Sequence, residues 1–293
     1  FFSDGVQSGI ISSTDGYRRW GIEVPAAPTT SIIPGDLPSG TYLITTTYVR
    51  GDGKEGGASQ MLSVGLGPNS GLNFELSPAT DLSIIERRIY ISEVNGELPL
   101  LWATLPVSDV LCAITAVPAE RTIPVRTLNC GPAPAGQLVG TYNGRTYVAE
   151  NNYLWYSDPY EFELFRLASN FIGFTSPVRT FAPVYDGIFV GSDDATVFLS
   201  GSDPKDFKVV EVAPYGTVFG TEQPVPELHL GKENAQGDCT MWMSKQGLCA
   251  GYDGGRFKNL TGDRYKLPAG VSHGASLLKV RGGTPQVVTS LFS

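Results

Sequence analysis

GTYNGRTYVAENNYLWYSD, residues 140–158, sets two turn signals among three runs of strand-forming residues. Asn143-Gly144 is the dipeptide that most readily supplies positive φ in a tight hairpin turn, and a second turn falls at about Glu150-Asn151-Asn152. Tyr142, Tyr147, Val148, Tyr153, Trp155 and Tyr156 are aromatic or β-branched, types suited to a pleated, half-buried surface. The stretch predicts antiparallel strands joined by tight turns and reads as one blade of a propeller. No catalytic group is needed to explain it.

The same grammar recurs at 182–204, APVYDGIFVGSDDATVFLSGSDP, and at 241–262, MWMSKQGLCAGYDGGRFKNLTG. Turns are expected at Asp186-Gly187, Ser192-Asp193-Asp194, Lys245-Gln246-Gly247 and Asp253-Gly254. The period of roughly 40 to 60 residues is near that of four-stranded blades. The alternative is a β-sandwich or unrelated hairpins, because hairpin spacing alone does not fix how sheets are arranged around an axis. Tyr147, Trp155, Tyr156, Phe189 and Phe198 are the aromatics expected in blade cores.

A segment of different texture lies between the prolines at 25–38 and the Pro/Ala/Gly stretch at 131–136. In GTYLITTTYVRGDGKEGGAS, residues Tyr42, Ile44, Thr46 and Tyr48 share one face of a strand before a turn at Asp52-Gly53. LNFELSP follows, then ERRIYISEVNGELPLLWATLPV, where Ile89 and Ile91 alternate before a turn at Asn95-Gly96 and a returning strand through Leu101 and Ala103. Four or more short strands in about 90 residues suit a sandwich. The domain reading is therefore 1–28 as amino-terminal strands of the propeller-like domain, 29–117 as an inserted sandwich, 118–136 as linker and 137–293 as blades.

Composition agrees with an all-β chain: 35 Gly, 21 Pro and 11% aromatics accompany only 17% charged residues in 293. No apolar run approaches the roughly 20 residues that span a bilayer, so a soluble protein without membrane insertion is expected. The chain starts at Phe1 without Met, which leaves open a processed or partial portion of something longer. A net charge of −8 argues against general adhesion to nucleic acid, which needs clustered Lys and Arg; contact with passing DNA would be non-sticky. Cys112, Cys130, Cys239 and Cys249 have no metal-ligand spacing. In a hairpin centred near 244–247, Cys239 would face about Tyr252 and Cys249 about Trp242, which disfavours a cross-strand disulfide.

Two resemblances rest on these words. TYVRGDGKEGGAS and RRIYIS, with Glu55, Ser59, Arg88 and Tyr90, resemble the fibronectin type III-like modules of many bacteriophage structural proteins, over roughly residues 29–117. VQSGIISSTDGYRRWGIEVPAAP, GTYNGRTYVAENNYLWYSDPYEFELF and YDGIFVGSDDATVFLSGSDPKDF together resemble tail or virion structural proteins of tailed phages, in which a Trp-Gly-x-x-x-Pro strand, here Trp20-Gly21 and Pro25, leads into an immunoglobulin-like insertion and then into blades. The resemblance implies a non-enzymatic virion component, a hub, nozzle or adaptor assembled in the host cytoplasm. Its expected partners are itself, in a homo-oligomeric ring, and other tail proteins. It also implies a propeller closed by strands from both ends, 1–20 with part of 276–292. Only about four blades can be counted. A receptor- or carbohydrate-binding role in host attachment, contacting host-surface polysaccharide through exposed aromatics, is the alternative.

Enzymatic readings are weaker, and no catalytic, cofactor-binding or metal residue is assigned. Ser13-Thr14-Asp15-Gly16-Tyr17-Arg18-Arg19-Trp20 approaches a sialidase-type repeat but has its Gly one position early. Arg145, Arg166, Arg179, Glu150 and Asp158 could be assembled into a glycosidase site, yet all fall at strand ends and turns. His229 and His273 have no local partner pattern, Ser272-His273 being no triad signature. Gly51-Asp52-Gly53 and Gly65-Leu66-Gly67-Pro68 lack the following helix of a phosphate loop. Asp81, Asp193, Asp194, Asp203 and Asp206 are explained by turn chemistry rather than by calcium, whose local Asp-x-Asp-x-Asp loop is absent.

Overall fold

The computed structural model describes residues 1–13, 16–118, 121–230, 237–265 and 267–293. Among these residues the protein is all-β: several antiparallel sheets are joined by loops and short 3₁₀ turns, with no α-helix. The chain divides into two compact units, one of Phe1–Ser8, Pro134–Tyr160 and Phe171–Ser293, the other of Gly9–Ala133 and Glu161–Asn170. The 29–117 segment lies wholly in the second unit, which also takes most of 1–28 and of the 118–136 linker.

In the first unit, Leu138–Tyr142, Arg145–Glu150 and Tyr153–Asp158 form consecutive hairpins, and Phe171–Gly173 pairs with the start of the third strand. Asn143 and Gly144 take φ of 44° and 71°, the double left-handed turn expected of Asn-Gly, and Asn151 takes 52°. A second sheet runs Val178–Val184, Gly187–Ser192, Thr196–Ser200, Lys208–Ala213. A third runs Gln223–Val225, Cys239–Ser244, Gly247–Tyr252, Arg256–Asn259. His273–Arg281 and Thr284–Phe292 close the chain as a two-stranded sheet. The turn expected at Asp186-Gly187 forms one residue earlier, at Tyr185-Asp186, because Val184 pairs with Gly187. Gly187 opens the returning strand, where a Cβ would lie 2.4 Å from the Leu199 carbonyl oxygen.

These sheets pack in series. Leu138–Tyr142 lies beside Val178–Val184, that strand beside Cys239–Ser244, and Gln223–Val225 beside His273–Arg281. One apolar core joins the first and second sheets through Tyr147, Leu154, Tyr156, Phe181, Ile188 and Leu199. Another joins the second and third through Ala182, Phe189, Phe198, Trp242 and Cys249. At each junction a ring lies over a glycine: a Cβ on Gly140 would meet the Phe181 ring at 2.2 Å, and one on Gly251 would meet Phe189 at 2.5 Å. Tyr147, Tyr156, Phe189 and Phe198 are buried as expected. Trp155 is only half-buried: it alternates with the buried Leu154 and Tyr156 and so points to the opposite face of its strand. Among the described residues the strands at 1–20 and 276–292 fall in separate sheets: Gly16–Arg19 pairs with Ser8–Ser12, and His273–Arg281 with Thr284–Phe292.

In the second unit, a three-stranded sheet (Leu111–Ile114, Ser70–Glu75, Thr29–Leu37) and a four-stranded sheet (Leu62–Leu66, Gly40–Arg50, Ile84–Ile91, Leu100–Pro106) share one core. Tyr42, Ile44, Leu72, Phe74, Ile89 and Ile91 fill it. The strand Gly40–Arg50 is buried on both faces from Ile44 onward, not on one. The segment at 56–59 pairs along its edge, Gly56 and Ser59 N–H donating to the Tyr48 and Thr46 carbonyls at 2.9 and 2.8 Å, and meets its second face where the Thr45 and Thr47 hydroxyls donate to the Ser59 carbonyl and Glu55 at 2.9 and 2.6 Å.

Candidate functional site

Two features of the first unit offer surfaces for recognition. On the outer face of the first sheet, Tyr153, Trp155 and Phe171 form a three-ring cluster with centroids 5.2 to 5.8 Å apart. Strand alternation sets the first two on one side, and the register brings Phe171 opposite Trp155 and Gly173 opposite Tyr153. Tyr153 and Phe171 each keep 40% of their surface in solvent. Glu150 pairs with Tyr153 across the hairpin, and among the described residues its carboxylate makes no hydrogen bond or ion pair. An aromatic platform edged by an unpaired carboxylate suits stacking against a sugar ring or a cationic group, with a hydrogen-bond acceptor at its margin.

The terminal hairpin is the second feature. The positive φ values of Gly282 and Gly283, 57° and 79°, make its two-residue turn. One face, exposed, mixes Leu277, Val288 and Phe292 with Lys279, Arg281, Gln286 and Ser290; the other, carrying Leu278, Val287, Leu291, Val280 and Pro285, is half-buried apart from Val280. Leu277, Val280, Val288 and Phe292 are exposed.

The densest charge cluster belongs to the second unit. Glu163 accepts hydrogen bonds from Arg18 at 2.5 and 3.0 Å, from Arg50 at 2.8 and 3.1 Å and from Lys54 at 2.7 Å, while Asp52 holds Arg50 at 2.7 Å. Burial would raise the Glu163 pKa, but the donated hydrogen bonds outweigh it and hold the carboxyl far below its usual range. Arg50 is likewise penalised by burial, yet Glu163 and Asp52 leave it more firmly protonated than a free guanidinium. With every oxygen engaged, this cluster fixes Gly16–Arg19 and Gly40–Arg50 to Glu161–Phe165; it is a clamp rather than an open site. Trp20 adds a hydrogen bond from Nε1 to the Phe162 carbonyl at 2.7 Å and an edge-on contact with Phe165. Glu55 similarly gathers Arg88 at 2.5 Å, Thr47 at 2.6 Å and Tyr90 at 2.7 Å, and Ser59 Oγ accepts from the Thr46 N–H, so the four residues singled out at 55, 59, 88 and 90 stabilise one region of the second unit.

Of the residues weighed for a glycosidase site, Glu150 edges the aromatic platform and the other four are engaged separately. Arg145 bonds the Ser157 carbonyl and Asp203, Arg179 makes a two-pronged pair with Asp193, and Arg166 donates to the Leu128 and Arg126 carbonyls. Asp158 accepts the Ser157 hydroxyl at its backbone oxygen. Thr14 and Asp15 of the sialidase-type stretch lie outside the described residues; Arg18 and Trp20 belong to the clamp. His229 sits in a 3₁₀ turn, and His273 stacks on Phe292 with Nδ1 2.9 Å from Ser272 Oγ at an exposed position.

The turn acids act locally. Asp194 accepts from Ser176, Ser192 and Thr175 hydroxyls, which draw its pKa down to about 2. Asp203 caps the Lys205 N–H, Asp206 donates its N–H to the Asp203 carbonyl, and Asp81 accepts from Ser83. Gly51-Asp52-Gly53 and Gly65-Leu66-Gly67-Pro68 lie in or beside turns between strands. Among the described residues no group of three His, Cys, Asp or Glu is placed to hold a metal ion, and no helix is long and apolar enough to cross a membrane. The cysteines are free, and Cys239 pairs with Tyr252 and Cys249 with Trp242 in the expected register.

Sequence reasoning missed Phe171, the Glu163 clamp and Glu222. Glu222 is pushed up to about 7 by burial, with its Oε2 buried and unpartnered. Phe171 stands in a strand of three residues with no turn signature, and Glu163 lies more than 100 residues from its cationic partners, so no local pattern announces either. No protein-family model, no curated protein and no solved structure matches the chain.

Proposed function

We propose that this protein is a non-enzymatic structural component of a bacteriophage tail, built from propeller-like blades with a fibronectin III-like sandwich and assembling with itself and with other tail proteins as a ring, hub, nozzle or adaptor. The supporting observation is the serial packing of three hairpin-built sheets, the second and third of which end in outer strands, Lys208–Ala213 and Arg256–Asn259, that have one strand partner each among the described residues. Unpaired edges of this kind recruit strands from other chains. Seven strands of the second unit, those between Thr29 and Ile114 in sheets of three and four, suit the fibronectin III-like part of the reading. Imaging the purified protein at micromolar concentration should give a symmetric ring or tail-like assembly. Chromogenic glycosides, esters and phosphoesters should show no turnover; turnover abolished by changing Arg145, Glu150 or Asp158 would overturn the reading.

The Tyr153, Trp155 and Phe171 platform with Glu150 favours a second reading, a receptor- or carbohydrate-binding tail protein. It predicts binding of host-surface polysaccharide that is lost in Tyr153→Ala and Phe171→Ala with the fold intact.

A further inference from the structure

The aromatic platform of the first sheet carries a carboxylate without a counter-charge. Glu150 and Tyr153 are directly opposed across the turn at Asn151-Asn152, so their side chains leave the sheet on the same side, with Cβ atoms roughly 5 Å apart. Trp155 follows Tyr153 on that side, and Phe171 is opposed to Trp155. Within the strands at 138–142, 145–150, 153–158 and 171–173, alternation leaves Glu150 as the only charged residue on this face, since Arg145 and Asp158 fall on the other.

The rings are set as a corner. Tyr153 and Phe171 meet at 89° with centroids 5.4 Å apart, and the less exposed Trp155 lies 5.8 and 5.2 Å from them. Two perpendicular, part-exposed rings seat a single sugar residue, with its C–H surface on one ring and its edge on the other.

Four other rings of the protein already hold an arginine: Arg87 stands over Tyr48, Arg121 over Trp102, Arg145 over Tyr156 and Arg256 over Tyr252, at 4.7 to 5.6 Å. Among the described residues no Lys or Arg stands over Tyr153, Trp155 or Phe171, and none pairs with Glu150. Exposed π surface beside a free carboxylate attracts a cationic group and disfavours an acidic sugar, and the chain's net charge of −8 acts in the same direction.

We infer that this corner binds an amino sugar, a hexosamine residue of a glycan seated on Tyr153 and Phe171 with its protonated amine on the Glu150 carboxylate. This rests on the carbohydrate-binding reading above and names the sugar. A neutral hexose would use the same carboxylate through its hydroxyls, without needing its charge, and a lysine side chain of another protein would use the charge without the sugar ring.

The test is calorimetric titration of the full chain at about pH 6 with the glucosamine hexamer, the N-acetylglucosamine hexamer and a tri-lysine peptide, beside Glu150→Gln, Tyr153→Ala and Phe171→Ala, with thermal melts to check folding. Expected is binding of the glucosamine hexamer at least tenfold tighter than of its acetylated counterpart and weakening with salt. Glu150→Gln, which keeps shape and hydrogen bonding but not charge, should remove that preference, and either ring variant should weaken the glucosamine hexamer at least tenfold. Equal affinity for the two hexamers, or a preference untouched by Glu150→Gln, would overturn the amino-sugar assignment while leaving the carbohydrate reading standing. Tri-lysine bound as tightly as the glucosamine hexamer would overturn it in favour of a protein side chain. Binding of neither hexamer would overturn it as well, and titration with host-surface polysaccharide would then decide the carbohydrate reading separately.

Discussion

The strands Gly40–Arg50 and Thr284–Phe292 are similar as sequences and opposite as structure. Both are rich in Thr, Val, Leu or Ile and both alternate in register with a neighbour. Ile44 is fully buried, whereas Val288 is 44% exposed. The first strand sits between two others and is buried on both faces; the second has one strand neighbour among the described residues, one half-buried face and one exposed face, which carries Val288. Residue type makes a strand, but the number of neighbours decides what that strand contributes to stability.

The largest expected effect breaks the comparison at a covered ring. Trp242 has no exposed surface and lies between Phe189 and Phe257, so Trp242→Ala should cost about 3 to 5 kcal/mol in denaturant melts. Trp155→Ala, on the half-open aromatic face, should cost roughly half of that. Equal losses would mean that the platform is as tightly packed as the core.

Glu163→Gln comes next. It leaves the buried Arg50 without its main counter-charge and should destabilise the second unit by about 3 kcal/mol, read by the fluorescence of Trp20 on the clamp. A loss below about 1 kcal/mol would mean that Asp52 alone holds Arg50.

Glu222 tests a covered polar group. Its folded pKa of about 7 exceeds the unfolded carboxyl value, so the native state holds the proton more tightly. The resulting stability is fully present below about pH 4.5 and is lost as pH rises through 7, by on the order of 1 to 3 kcal/mol. Glu222→Gln should flatten that slope between pH 5 and 7.5; an unchanged slope assigns it to other groups.

The smallest effect lies at the uncovered end. Val288→Ala should change the stability of the monomer by under about 0.5 kcal/mol, against about 2 to 5 for Ile44→Ala, as measured at concentrations below assembly. A large Val288 effect under those conditions would mean that the hairpin is covered within its own molecule.

Turns and strand identity were legible in the sequence because their signals are local. Asn143-Gly144 and Gly282-Gly283 adopt the conformations that their residue types favour, and the opposition of Cys239 to Tyr252 follows from counting back from the turn. Facing was less legible. Trp155 is chemically a core residue, and only its alternation with Leu154 and Tyr156 places it on the outer side. Ion pairing was hidden altogether, since Glu163 meets Arg18, Arg50 and Lys54 through the fold and not through spacing. The platform with Glu150 was half legible: Tyr153 and Trp155 stand out in the sequence, while Phe171 joins them from beyond the intervening strand Glu161–Phe165.

The ring-over-glycine contacts bear on how such a chain can change over generations. Phe181 needs the bare backbone of Gly140, and Phe189 needs that of Gly251, so the two members of each pair sit in different sheets. A duplicated or transplanted sheet that brought its phenylalanine without the matching glycine would collide with its neighbour. Among descendants of this sequence, ring and glycine should therefore vary together across sheet boundaries.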